Sequence, residues 1–331
     1  MNVLIDRHHH DLFNSLLVLF EDRLGHTVYT PVGHEWWEEG YWRFGEGYGD
    51  DRLARQFLNL AGWQILDDGT YLSADPHRPR RAIRGVNVAA AKSRGWAYVV
   101  ATVQDNQRGF HRLASDLNAK YVLQVGNTNQ SVDWGLDPLA LVSSEVPIRG
   151  RGILYHQEFD AEGVFGYTKP PAPTAPIRSF VNCFGSTPCQ RVFDEVRAML
   201  PDRTFTSHGI DGPDGNVETV ADIARLMRES AWGWHDKVQG DGFGHVIHDW
   251  AAIGRPLIGH AAHYRDLMAE PFWVDGVTCI DLDKHTTTEV AERLRTITAD
   301  EHLAMCRAIR AVFDEHVDFA AEAERIREFL S

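Results

Sequence analysis

The chain is short of cysteine, of long apolar runs and of positive charge. Among its 331 residues only Cys183, Cys189, Cys279 and Cys306 carry thiols, too few and too scattered for a disulfide scaffold or for a zinc site built on close cysteine pairs. Buried reduced thiols are the expectation, with a local pairing of Cys183 and Cys189 left open. No stretch approaches the ~18 consecutive apolar residues of a membrane helix, which sets the expectation of no membrane span. The opening Met1-Asn2-Val3-Leu4-Ile5-Asp6 has neither the basic start nor the apolar stretch of a signal peptide, so a cytoplasmic location is expected. Lys and Arg number 33 against 47 Asp and Glu, a formal net charge of −14. Such a balance argues against a protein that coats nucleic acid, because non-specific binding rests on cations neutralising phosphates, although local patches outweigh totals.

What is present is ordinary globular composition, 44% hydrophobic and 24% charged, in a chain longer than the ~150 residues of one average domain. Two domains are the expectation. Val3-Leu4-Ile5 reads as a strand, followed by a polar loop and then by Leu12, Phe13, Leu16, Leu17, Leu19, Phe20 and Leu24 at helical spacing before Gly25. Further apolar runs at 98–103, 121–125 and 153–155 are each bounded by turn residues. Strands alternating with helices imply parallel sheets with both faces covered. Four prolines in 168–176 mark a linker, after which the alternation restarts with strands at 179–184, 204–206 and 256–258 and helices at 190–200, 217–229 and 245–253. The fold class expected is α/β, with Rossmann-like doubly wound domains over 1–167 and from 177 onward, facing a central cleft where ligands bind beside strand C-termini.

From Lys237 to Pro256 the sequence reads KVQGDGFGHVIHDWAAIGRP. Its glycines let backbone approach a ligand, and the helix that follows presents free N–H groups and the positive end of its dipole. A diphosphate suits that position. This stretch resembles the donor-binding segment of GT-B glycosyltransferases, where an acidic residue, a Gly-Phe-Gly turn, a helix with a second acidic residue and a Gly-Arg-Pro strand entry follow one another. The resemblance matches the family's paired glutamates, eight positions apart, to Asp241 and Asp249. It implies that Asp241 touches the transferred sugar and Asp249 the ribose hydroxyls of the nucleotide. It also aligns Asn182 to Ser186 with a phosphate-facing loop, which adds Ser186 to the donor site, and Val312 to Leu330 with the family's final helix. The division it implies is an acceptor-binding domain over 1–167, a nucleotide-sugar-binding domain over 177–311 and a C-terminal helix over 312–331.

Around that motif, Lys237 could place a cation on the diphosphate, stabilising the charge that builds on the leaving group; its plainer alternative is a solvated surface lysine. Trp232 and Trp234 precede it, and an indole face suits a nucleobase, though aromatic pairs are more often core. His245, at the helix start, could donate to phosphate. Arg255 reads as structural. Donor-binding candidates are therefore Ser186, Trp234, Lys237, Asp241, Gly242, Phe243, Gly244, His245 and Asp249.

In the first half, His8, His9 and His10 follow the opening strand beside Asp11. A histidine there is a natural general base for an acceptor hydroxyl, with a carboxylate to orient it, so His8, His9, His10 and Asp241 are the catalytic candidates. Consecutive histidines share a metal poorly. Residues 34–44 interleave Trp36, Trp37 and Trp42 with three glutamates, a composition that fits an acceptor pocket or a buried helical cap. Four arginines in 78–84, Arg80 and Arg81 among them, could grip phosphates. Together these keep open an acceptor on nucleic acid, such as a hydroxymethylated base flipped from the duplex. Gln104-Asp105-Asn106 and Gln124-Val125-Gly126-Asn127 end apolar strands and add Asn127 to the acceptor candidates.

The function expected is transfer of a sugar from a UDP- or GDP-sugar donor to an acceptor hydroxyl on a glycan, a protein or a hydroxymethylated DNA base, with retention of configuration implied by the acidic pair. No cofactor is required and no metal ligands are expected, because a helix terminus and Lys237 can hold the diphosphate. Two rivals remain: a nucleotide-sugar epimerase or hydrolase on the same architecture, and a non-catalytic nucleotide-sugar binding module. The oligomeric state has no signature.

Overall fold

The structure, a computed structural model, describes all residues except 8–9, 43–62, 75–81, 103–105, 127–129, 183 and 239. It divides into two units, Met1–Phe159 with Phe319–Ser331, and Asp160–Asp318. Among the described residues no helix is long and apolar enough to cross a membrane.

In the first unit the elements run β1 (Asn2–Ile5), α1 (His10–Leu17, continued by a π-helical turn Val18–Arg23), β2 (Thr27–Pro31), α2 (Glu35–Glu38), β3 (Gln64–Ile65), β4 (Thr70–Ala74), β5 (Ala82–Val86), α3 (Val88–Lys92), β6 (Tyr98–Ala101), α4 (Gln107–Asp116), β7 (Lys120–Val125), β8 (Leu139–Val142) and β9 (Gly152–Leu154). One nine-stranded sheet takes the order β3-β4-β5-β2-β1-β6-β7-β8-β9, parallel from β5 to β9 and antiparallel at the β3-β4-β5 edge. The central strands are unbroken apolar runs because both faces are covered. β1 pairs with β2 on one side and β6 on the other, with Val3 opposite both Val28 and Tyr98. That reversal of strand order makes the C-terminal ends of β1 and β6 the binding crevice of a doubly wound sheet. There Asp6 N–H donates to Val100 O (2.9 Å), and the Asp6 carboxylate accepts from Asn106 Nδ2 (2.9 Å).

The second unit runs β10 (Ile177–Ser179), α5 (Pro188–Met199), β11 (Phe205–Ser207), α6 (Val220–Glu229), β12 (Trp232–Trp234), α7 (His245–Ile253), β13 (Leu257–Gly259), β14 (Cys279–Asp281), α8 (Thr287–Thr296) and α9 (Ala299–His316). Its five strands are all parallel in the order β11-β10-β12-β13-β14, so the order reverses between β10 and β12. Thr286 with Glu289 and Thr298 with Glu301 form capping boxes that supply the missing acceptors at the starts of α8 and α9, and Pro188 opens α5 with one N–H fewer to satisfy.

Two segments differ from expectation. Residues 312–331 do not form one helix: α9 runs to His316, Val317 leaves helical geometry (φ −116°, ψ 104°), and α10 (Phe319–Leu330) belongs to the first unit. There α10 packs Ala323, Ile326 and Leu330 into a cluster with Val3, Phe20 and Tyr98, while Glu322 accepts from His156 N–H and faces its Nδ1 (both 2.7 Å). The Pro-rich 168–176 is irregular as its composition demands, and it lies inside the second unit, held at Thr168 by Arg255.

Candidate functional site

The site is built at the end of β12. Gly233 stands in the middle of that strand because α7 lies on it: a Cβ there would sit 2.5 Å from the Trp250 ring. Beyond Trp234 the chain leaves the sheet through His235, Asp236 and Lys237 and turns at Gly240, whose φ of +64° suits glycine and whose Cβ would meet His263 O at 2.4 Å. Gly244 (φ +80°) then caps α7 with backbone alone, its carbonyl accepting from Ile247 N–H (3.0 Å) and His248 N–H (3.1 Å). The first turn of a nine-residue helix, with no side-chain cap, thus follows directly on the loop.

Asp241 is the hub of this loop. One oxygen accepts from His235 Nε2 (2.9 Å) and the other pairs with the Lys237 ammonium. Burial works to raise the Asp241 carboxyl, but the His235 hydrogen bond and the charges of His235 and Lys237 outweigh it and hold the group well below the usual carboxylate range. Asp241 is therefore ionised at any working pH. Its side chain is about a quarter exposed, that of Lys237 somewhat less than half, and His235 is buried. This places an acceptor carboxylate and a movable ammonium beside a helix N-terminus, a set that can bind sugar hydroxyls and a diphosphate.

His235 was no candidate on sequence grounds, and neither were Asp236, His260 and His263, which meet beside it. Asp236 is fully buried and accepts from His260 Nδ1 (2.9 Å) and His263 Nδ1 (3.0 Å). Burial again opposes the charged form, and the two histidine hydrogen bonds override it, holding Asp236 low. Nothing in the sequence marks them: His235-Asp236-Lys237 follows β12 at the point where strand order reverses, which only the fold reveals.

Other expected residues fall elsewhere. Trp234 is not a nucleobase platform: it is wholly buried, its ring 5.2 Å from Phe193 in an edge contact within the sheet core. Phe243 is packed as well, stacked on His248 at 4.1 Å, so it anchors the turn. Gly242 and Gly244 are buried, His245 is half-buried with its ring edge on Phe243 (4.8 Å), and Asp249 is nearly buried in α7. Ser186 ends a 3-10 turn (Phe184–Ser186) and is described through its backbone alone.

In the first unit, Trp36 and Trp42 belong to the core: both are buried, and the Trp36 indole donates to Val86 O (3.0 Å). They line no acceptor pocket, and the buried-cap alternative holds for them. Trp37 is 49% exposed. His8, His9, Arg80, Arg81, Asn127, Gln104 and Asp105 lie outside the described residues, and His10 opens α1 with only its backbone described. Asn106 and Gln124 are buried at the ends the sequence indicated, Gln124 donating to Ser143 Oγ (3.3 Å). Arg255 is structural: with no exposed surface, its guanidinium donates to carbonyls of Ser230, Ile253, Gly254, Arg228 and Thr168.

No protein-family model matches the sequence, and no curated protein does. Solved structures do match. Anabaena Alr3699/HepE in complex with UDP is 11% identical, with 99% of each chain covered and a TM-score of 0.63. Sucrose-phosphate synthase from Thermosynechococcus elongatus is 11% identical over 99% of this chain and 98% of its own, with a TM-score of 0.60. An alpha-glucosyltransferase in complex with UDP is 10% identical over the full length of both chains, with a TM-score of 0.61, and an alpha-glucosyltransferase in complex with UDP and a 13-mer DNA containing a HMU base is 10% identical over 100% of this chain and 99% of its own, with a TM-score of 0.57. Likeness over whole chains at such identities is likeness of fold: this chain has the mixed α/β, two-domain GT-B architecture of those glycosyltransferases.

Proposed function

We propose, with the GT-B fold as premise, that the chain is a glycosyltransferase that moves a sugar from a nucleotide-sugar to an acceptor hydroxyl. The single observation that carries the reading is the loop from His235 to α7, where an ionised Asp241 held by His235 and Lys237 precedes a helix N-terminus with no side-chain cap. In this reading the amides of Gly242 to His245, with Ser186 across the strand-order reversal, receive the diphosphate, and Asp249 meets the ribose. Lys237 exchanges Asp241 for the diphosphate when donor binds, where its charge stabilises the leaving group. Asp241, relieved of the ammonium and still oriented by His235, accepts hydrogen bonds from the sugar. Neutralisation of the diphosphate then rests on protein groups rather than on a divalent ion. The donor is a UDP- or GDP-sugar, UDP being favoured because the structural neighbours were captured with it. Retention of configuration follows from the likeness of Asp241 and Asp249 to the paired acids of retaining members.

On the acceptor side, one of His8, His9 and His10 takes the proton of the attacking hydroxyl at the end of β1, with Trp37, Arg80, Arg81 and Asn127 as binding residues. A glycan or protein hydroxyl satisfies this chemistry. A hydroxymethylated base in DNA gains a specific argument, since a neighbour of the same fold has been seen with DNA carrying a HMU base.

The test is release of UDP or GDP from a panel of nucleotide-sugars, with and without glycan, protein and hydroxymethylated DNA. Acceptor-dependent release supports transfer; turnover without acceptor indicates an epimerase or hydrolase, and binding without turnover a binding module. With DNA, replacing Arg80 and Arg81 by Ala impairs activity most at low salt and flattens its salt dependence, and affects a small acceptor little.

A further inference from the structure

Cys189, Asp236 and His263 come from the first turn of α5, the loop after β12 and the turn after β13, yet their Sγ, carboxylate oxygen and ring nitrogen all lie within 4.8 Å of one another. Thiolate, carboxylate and imidazole together form a donor set for zinc, which binds sulfur at about 2.3 Å and nitrogen or oxygen at about 2.0–2.2 Å. Ligands on such a tetrahedron are separated by roughly 3.3–3.8 Å, so a pair at the 4.8 Å limit closes by roughly 1.0–1.5 Å, while Asp236 Oδ1 and His263 Nδ1, 3.0 Å apart, open slightly. Cys189 and Asp236 are buried, while the side chains of His260 and His263 keep 23% and 22% of their surface. An ion can therefore enter from the histidine side and keep a fourth position there. Buried charges are paired or coordinate metals, and a dication balances the two negative ligands.

We propose that Cys189 Sγ, Asp236 Oδ1 and His263 Nδ1 bind one zinc-class divalent cation with water at the fourth position, and that His260, bonded to Asp236 Oδ2, orients the carboxylate. On binding, the Cys189 thiol gives its proton to solvent, and His263 binds as the neutral tautomer protonated at Nε2. The hydrogen bond from His263 to Asp236 is replaced by shared coordination. The ion ties together the three segments that carry Cys189, Asp236 and His263, and His263 O already packs where a Gly240 side chain would stand. It touches no diphosphate and is independent of the donor reading.

The test uses the full chain, grown with added zinc, desalted, and measured by atomic emission. About one zinc per chain is expected, falling to near zero in Cys189→Ser and His263→Ala. His260→Asn keeps the metal with affinity lowered about 10–100-fold. Loading with Co2+ is expected to give a thiolate-to-cobalt charge-transfer band and the intense visible bands of a tetrahedral centre. Cys189→Ser loses the charge-transfer band while retaining the parental far-UV circular dichroism. A folded parent that holds no zinc and gives no cobalt bands overturns the proposal, and so does a charge-transfer band that survives Cys189→Ser.

Discussion

Replacing Arg255 by Met isolates one buried polar network in a single substitution. Met fills much of the arginine stem, so the loss is chiefly that of the guanidinium, which donates to six oxygens: the carbonyls of Arg228, Ser230, Ile253, Gly254 and Thr168, and Thr168 Oγ1. Among the described residues no carboxylate pairs with it. Its counter-charge is the carbonyl-rich C-terminal ends of α6 and α7, where helix dipoles are negative. Counting about 1 kcal/mol for each oxygen that loses its donor, at the low end because a carbonyl keeps a second lone pair, gives roughly 4–6 kcal/mol. Whole domains hold only about 5–15 kcal/mol. At about 2–4 °C per kcal/mol for a domain of this size, the unfolding midpoint should fall by roughly 8–24 °C. Scanning calorimetry with circular dichroism measures it. Arg255→Lys, with three donors on one nitrogen, should recover at most about half. A midpoint for Arg255→Met within about 3 °C of the parent would show that water or relaxation replaces the network, and the reasoning would fail.

Asp241→Asn should stay folded and bind UDP within a few-fold of the parent, yet lose about 100-fold or more in kcat, read as nucleotide release from the sugar donor. Gly240→Ala should lower UDP affinity at least about tenfold, because a Cβ at φ +64° would strike His263 O at 2.4 Å; Gly215→Ala, at φ +75° with nothing within 4 Å, is the control that carries the backbone strain alone. His302 is buried against Ala231 O (2.9 Å), and burial lowers its pKa. The unfolded chain then takes up the proton first, so stability is complete above about pH 6.5 and falls as pH drops below it, by at most about 1.4 kcal/mol per unit. Urea midpoints from pH 5 to 8 should show that slope, and His302→Gln should flatten it.

Patterns that are local in sequence were readable. The alternation of strand and helix, α7 and the glycine turn before it, and the structural reading of Arg255 all follow from neighbouring residues. β12 escaped because a fully buried strand of three residues has no periodicity, and Trp-Gly-Trp then looked like an aromatic platform when its glycine is the seat of Trp250. The break between α9 and α10 escaped because both helices share helical spacing and Val317 is no strong stop signal. His235, Asp236, His260 and His263 were illegible for another reason. Their meaning comes from parallel strands bringing the ends of β12 and β13 side by side, which spacing along the chain does not encode. Scattered cysteines likewise argued against a metal until the fold set Cys189 beside Asp236 and His263.

The membership of α10 in the first unit bears on how the chain emerges from a ribosome. Val3, Phe20 and Tyr98 are synthesised early, but Ala323, Ile326 and Leu330, which pack on them, come only after the whole second unit. The unbroken stretch Asp160–Asp318 can close its own core as it appears, whereas the sheet begun before it, covered on that face by α1, keeps the rest of the face open until α10 arrives. Nascent chains stalled before residue 319 should therefore bind holdase chaperones through the half that was made first.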